Sequence, residues 1–175
     1  ISRHVVINDI TERIKAEEEL KQSRDQFQSL VDNIPGITYR CLNDKDWTML
    51  YISSEIEHFS GYPSTDFINN KIRSYASIMD EEDNRKNTEI ENYCIAAGKP
   101  WDIEYRIYHK DGSIRWAYEK GRAIKDSNGN LKYFDGFILD ITDKKNAQEY
   151  AERINQRYIN ALEALPIGCI LTDNN

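Results

Sequence analysis

The chain has 175 residues, 30% of them charged and 39% hydrophobic, and a formal net charge of −7. This length suits one domain with appendages, and the acidic balance argues against nucleic acid or an anionic membrane as a partner, since both attract basic patches. Cys41, Cys94 and Cys169 form no close pair, no apolar run approaches the roughly 18 residues of a membrane span, and no secretory signal opens the chain. A cytoplasmic, reducing location is therefore expected, with no direct membrane contact by this segment.

Two similar stretches stand 131 positions apart. Asp9-Ile10-Thr11 recurs as Asp140-Ile141-Thr142, Ile34-Pro35 lies opposite Leu165-Pro166, and Asn43 matches Asn174 without a gap. Two helices of similar composition explain shared charge patterns but not these shared motifs. The chain thus reads as one full unit of a tandem array, with the tail of one neighbour at 1–11 and the head of the next at 165–175. Helical linkers at 12–33 and 143–164 follow Thr11 and Thr142, each able to cap a helix ahead of an acidic residue. In the second linker Ala147, Ala151, Ile154, Tyr158, Ala161 and Leu165 fall at 4-3 spacing, and in the first Ala16, Leu20, Ser23, Phe27, Leu30 and Ile34 do so. Such a seam serves either paired helices or a helix packed on its own domain. Pairing is the expectation taken here: a homodimer through the linkers, with Leu20, Phe27, Ile154 and Tyr158 on the seam.

Between the linkers the elements follow in order. Ile37 to Leu42 and Met49 to Ile52 read as short strands around a turn at 43–46. Ser54 to Phe59 reads as a short helix stopped by Gly61, and Ser64 caps another through Phe67. Asp83 is the expected cap of a longer helix that carries Ile90, Tyr93, Cys94 and Ala97 on one side and stops at Gly98-Lys99-Pro100. Ile103, Tyr105 and Ile107 alternate with charged residues, as in a half-buried strand. Asp111-Gly112 and Asn128-Gly129 are hairpin turns. Ile114, Trp116 and Tyr118 open the strand between them, where Gly121 is the expected bulge. Leu131 to Asp140 is the last strand. Three long and two short antiparallel strands with intervening helices make an α+β domain.

The residues at these junctions resemble the PAS domain family, in particular the subgroup found in bacterial and archaeal multi-PAS sensor histidine kinases. Tyr51-Ile52-Ser53, Phe59-Ser60-Gly61-Tyr62, Glu104-Tyr105-Arg106-Ile107, Lys110-Asp111-Gly112-Ser113-Ile114-Arg115-Trp116 and the closing Asp140-Ile141-Thr142 carry the resemblance, which covers 34–142. Asp80-Glu81-Glu82-Asp83 stands where many members have an H-P-x-D turn, keeping only the final Asp. The resemblance implies a five-stranded antiparallel sheet with helices on one face, flanked by linker helices that carry a signal to neighbouring PAS units in the same chain.

No catalytic constellation, phosphate loop or metal-binding spacing is present in the sequence. The family's haem-binding members take the iron with a His on the long helix, and 83–97 holds none. Its flavin photoreceptors need a reactive Cys in a context that neither Cys41 nor Cys94 has. No cofactor is therefore predicted, and an unknown small-molecule ligand is left open. Its candidate walls are Tyr39, Cys41, Tyr93, Tyr105, Trp116, Tyr118 and Phe137, residues whose plainer role is to fill the core. The junction Asp140-Ile141-Thr142 is the expected exit for a signal; the resemblance implies that Asp140 is held by a polar partner on the sheet, for which Arg106 and Arg122 are the candidates by charge, with nothing in the sequence to choose between them. Three functions stay open: a sensory or relay module of a sensor histidine kinase in a two-component system, the same module in a cyclic-dinucleotide enzyme or transcription regulator, or a dimerisation spacer. The segment itself is not expected to be an enzyme.

Overall fold

Alternation of buried and exposed residues organises the sheet. In strand β3 (Trp101–Tyr108), Trp101, Ile103, Tyr105 and Ile107 are buried while Asp102, Glu104 and Tyr108 are exposed, as a period of two requires. The computed structural model describes residues 12–23, 26, 29 and 36–164. Over these, β1 (Ile37–Cys41), β2 (Met49–Ile52), β3, β4 (Ile114–Lys125) and β5 (Leu131–Asp140) form one antiparallel sheet in the order β2-β1-β5-β4-β3. The helices are α1 (12–23), α2 (Ile56–Ser60), α3 (Ser64–Phe67), α4 (Glu81–Ala96) and α5 (Thr142–Glu163), with a 3-10 turn at Ala76–Ile78. This is the α+β architecture the resemblance implies.

The core lies between the inward sheet face and the helices. Ile56 and Phe59 of α2 and Phe67 of α3 join Ile37, Ile107, Phe134 and Ile138 in one buried cluster. Trp101 meets Phe134 edge-on at 5.1 Å; burying aromatic side chains of this size supplies much of a small domain's hydrophobic stabilisation.

Two glycines make room for aromatic rings. A Cβ on Gly121 would sit 2.5 Å from the Trp101 indole, and one on Gly136 would sit 2.6 Å from the Tyr39 hydroxyl. Gly121 pairs with Trp101 on one side and Gly136 on the other in unbroken register. It is therefore no bulge, contrary to expectation. The irregularity in β4 falls later, between Ile124 and Lys125.

Helix α4 departs from the sequence reading twice. Its cap is Asp80, whose Oδ1 accepts from the backbone N–H groups of Glu82 and Asp83 at 3.2 Å each. Asp83 instead ties the helix to the sheet, accepting from Arg106 Nε at 2.7 Å, Arg106 Nη2 at 2.8 Å and the Arg106 backbone N–H at 2.9 Å. With acidic residues at all of 80–83, the capping role goes to the one left outside the helix. The second departure is rotational. Ile90 and Tyr93 are exposed, while Asn87 and Glu91 are buried, so α4 turns polar side chains toward the core.

Candidate functional site

The same inversion appears on β4. Trp116 and Tyr118 invite an inward assignment, which would put Ala117, Glu119 and Gly121 outside. Register with β3 places Glu119 beside Ile103 and Gly121 beside Trp101, and Trp101 fits only against a glycine. Glu119 is thereby carried into the core, 7% exposed.

Glu119 is well served there. Its Oε1 accepts from Tyr39 OH at 2.6 Å and Trp101 Nε1 at 2.8 Å, and its Oε2 accepts from Tyr105 OH at 2.7 Å. Tyr75 OH lies 3.0 Å from Tyr105 OH. Since Tyr105 has one proton and gives it to Glu119, Tyr75 donates to Tyr105. Burial raises the Glu119 carboxyl above its ordinary range, and the three donors oppose that rise. Burial, with the Glu119 charge behind it, holds the Tyr39 and Tyr105 phenols well above theirs, so both remain donors.

Glu91 has no such support. It is 6% exposed, and its Oε2 has no hydrogen-bond partner. Burial first, and then the charge of Glu119, push its carboxyl up to about 9. Glu91 and Glu119 line one cavity of about 20 Å³ together with Tyr39, Cys41, Trp47 and Tyr75 among others. That volume matches a single water.

Two of the seven candidate wall residues line the cavity, and a third bonds to its lining. Tyr39 and Cys41 line it, and Tyr105 reaches it through Glu119. The other four lie elsewhere. Tyr93 is 72% exposed on the outer side of α4. Tyr118 and Phe137 pack on each other at 6.4 Å on the far face of the sheet, where Trp116 sits under Lys145 at 4.8 Å. Strand parity separates them from the pocket. Glu91 and Glu119 were missed because a charged residue at an unremarkable helix or strand position reads as solvent-facing. No local signal marks them, because the parity of β4 is fixed by the Gly121–Trp101 pairing across two strands.

At the junction, Asp140 Oδ1 accepts from Thr142 N–H at 2.8 Å, and Oδ2 lies 3.7 Å from Arg115 Nη1. Neither expected arginine is its partner. Arg106 is held by Asp80 and Asp83, and Arg122 stands opposite Asp135, toward the other end of β5. Thr142 is buried, and its Oγ1 accepts from Trp116 N–H at 2.9 Å, while Ile141 N–H donates to Trp116 O at 2.9 Å. Lys145 adds an ion pair with Glu104 at 2.6 Å. The first turn of α5 is thus fixed to the strand that carries Glu119.

Beyond that turn, Ile154 and Tyr158 are 45% and 65% exposed, and on α1 Leu20 is 71% exposed. Phe27 and both terminal repeat segments, 1–11 and 165–175, lie outside the described residues. Among the described residues, no helix is long and apolar enough to cross a membrane.

Residues 49–138 match the family model for the PAS fold. The chain belongs to the PAS fold family. Two curated relatives are the methyl sulfide methyltransferase-associated sensor of Methanosarcina acetivorans, 23% identical over 73% of this chain, and the bacterioopsin transcriptional activator of Halobacterium salinarum, 25% identical over 82% of it. The chain spans only 13% and 20% of their lengths. Among solved structures, a sensory box histidine kinase/response regulator from Burkholderia thailandensis superposes with a TM-score of 0.60 at 22% identity, covering 78% of this chain and 98% of that one. This PAS domain is a module of the kind found in signalling proteins. Its cavity fits neither haem nor flavin: about 20 Å³ admits no macrocycle or ring system, α4 presents no His, and burial pushes the Cys41 thiol far above its ordinary range.

Proposed function

We propose that this PAS domain is a sensory and relay module of a multidomain signalling protein, in the first instance a sensor histidine kinase. A change at the cavity is passed to α5 and on to neighbouring units. The observation that supports this reading is the position of Glu119 and Trp116 on one strand. Glu119 faces the cavity, and three residues away the backbone of Trp116 bonds both Ile141 and Thr142. A shift of β4 at its buried carboxylate therefore moves the first turn of α5. The exposed apolar residues of α5 support pairing of two copies through this helix as the output geometry.

The test uses the full-length parent. Thr142→Ala removes the side-chain acceptor at Trp116 N–H, at a cost of about 1 kcal/mol. The domain is expected to stay folded, as read by circular dichroism, while the parent's output ceases to follow its stimulus. A normal response in that variant would remove the junction from the mechanism.

A further inference from the structure

We propose that the cavity between α4 and the sheet binds a small ammonium cation, held between the carboxylates of Glu91 and Glu119. This deepens, and rests on, the reading of the domain as a sensor.

The argument is a count of donors and acceptors. An ionised carboxylate offers about four lone-pair sites. Three on Glu119 are taken, by Tyr39, Trp101 and Tyr105. Tyr75 gives its proton to Tyr105 and has none to spare. Glu91 Oε2, on a side chain 6% exposed, has no partner. The lining contains no Lys, Arg or His. What remains facing the cavity is therefore the fourth acceptor site on Glu119 and the unpartnered Oε2 of Glu91, and a cation that brings donors satisfies both once Glu91 gives up its proton.

Size and surroundings narrow the class. A cavity of about 20 Å³ takes a particle of water size, which ammonium is and a bulky amine is not. The indole of Trp47 and the ring of Phe134 form part of the wall, and aromatic faces attract cations when the site is desolvated. Ammonium directs N–H groups tetrahedrally, so it can bond Glu91 Oε2 and the free site on Glu119 together. A bare metal ion of similar radius lacks directed donors and demands a larger set of oxygens.

The exchange balances in charge and atoms. Without the cation, Glu91 keeps its proton. The titratable groups that face it are Glu119 from β4, Tyr39 and Cys41 from β1, and Tyr75 ahead of the 3-10 turn. When ammonium enters with its four hydrogens, Glu91 releases its proton to solvent and the ion pair takes its place. Because Glu91 belongs to α4 and Glu119 to β4, the cation draws helix toward strand, which is the motion the junction at Trp116 and Thr142 can transmit.

The test is melting of the 175-residue chain in chloride salts of ammonium, methylammonium, potassium, sodium and tetramethylammonium at one ionic strength, with calorimetry in two buffers of different ionisation enthalpy. Ammonium is expected to raise the melting temperature saturably, methylammonium to act more weakly, and binding to release about one proton. Glu91→Gln, which keeps shape and removes the charge, should weaken the apparent affinity about tenfold or more. An equal response to potassium, a flat response to every cation, or an undiminished response in Glu91→Gln would each overturn the proposal. A flat response means a cavity that holds only water, and it needs no variant to be read. The sensory reading fails separately. If the cations are inert while Thr142→Ala still uncouples the parent, the ligand class is wrong and the relay stands. If ammonium binds while Thr142→Ala changes nothing, the ligand stands and the relay fails.

Discussion

Glu91 on α4 and Glu119 on β4 face one small cavity, and hydrogen-bond donors serve only Glu119. The asymmetry sets their protonation. Burial raises both carboxyls; three donors oppose the rise at Glu119, while Glu91, desolvated and without a donor at Oε2, holds its proton up to about pH 9.

This gives a pH dependence with a definite sign. In the unfolded chain Glu91 titrates at its ordinary 4.5, and in the fold at about 9. Between those values the folded state binds the extra proton, so this group's contribution to stability is fully present below 4.5 and is lost as pH rises through 9. Glu91→Gln removes that contribution's pH dependence. Urea unfolding of the parent should weaken between about pH 5 and about pH 8.5, the variant should change less, and at the upper end the variant should be more stable by about 1–3 kcal/mol. Parallel pH profiles would show that Glu91 is ionised throughout.

Gly121 offers a test of how β4 is held. A methyl group there meets the Trp101 indole at 2.5 Å, and the indole is also in edge contact with Phe134 at 5.1 Å. Gly121→Ala should cost about 1–3 kcal/mol as overpacking, read as a lower urea midpoint with an unchanged slope. An unperturbed midpoint would mean that Trp101 has room to retreat.

The strand and hairpin pattern was legible in the sequence because turn chemistry and alternation are local. Asp111-Gly112 and Asn128-Gly129 bound β4 at 114–125, and the run from Leu131 to Asp140 is a strand with those ends. The facing of α4 and β4 was not legible, because it depends on partners distant in sequence. Ile90 and Tyr93 look like a core stripe until Asn87 and Glu91 are seen beneath the helix. Trp116 and Tyr118 look like core until Gly121 is placed opposite Trp101. The site lies where the local hydrophobic rule is broken, as buried functional polar groups require. The partner of Asp140 was missed for a related reason: charge alone does not choose among arginines, and strand register does.

Association through the linkers is expected to depend on α1 and α5. Leu20, Ile154 and Tyr158 stand largely in solvent in a single copy. Replacing Ile154 and Tyr158 with Glu should weaken any dimer, since each change buries an unpaired charge at a helix interface. Replacing Leu20 and Phe27 with Glu tests the other linker in the same way. Light scattering at matched concentration compares parent and variants. A parent that is monomeric at high concentration, or variants that pair as well as the parent, would exclude this seam.

The phase of α5 makes the most discriminating test of signal exit. The helix starts at Thr142, tied to Trp116 at its first turn, and runs to Glu163. Its apolar side chains therefore emerge at angles set by their distance from that anchor. An α-helix advances about 100° per residue, so seven residues return nearly to the starting face. One residue inserted between Glu152 and Arg153 should turn Ile154, Tyr158 and Ala161 off the seam without touching the sheet. Seven inserted there should restore the face while lengthening the helix by about 10 Å. Output of the full-length parent should change with the single insertion and recover largely with the heptad. A flexible tether behaves otherwise, its effect varying slowly and smoothly with length. Equal outputs from the two insertions would therefore reduce α5 to a spacer, whatever occupies the cavity above it.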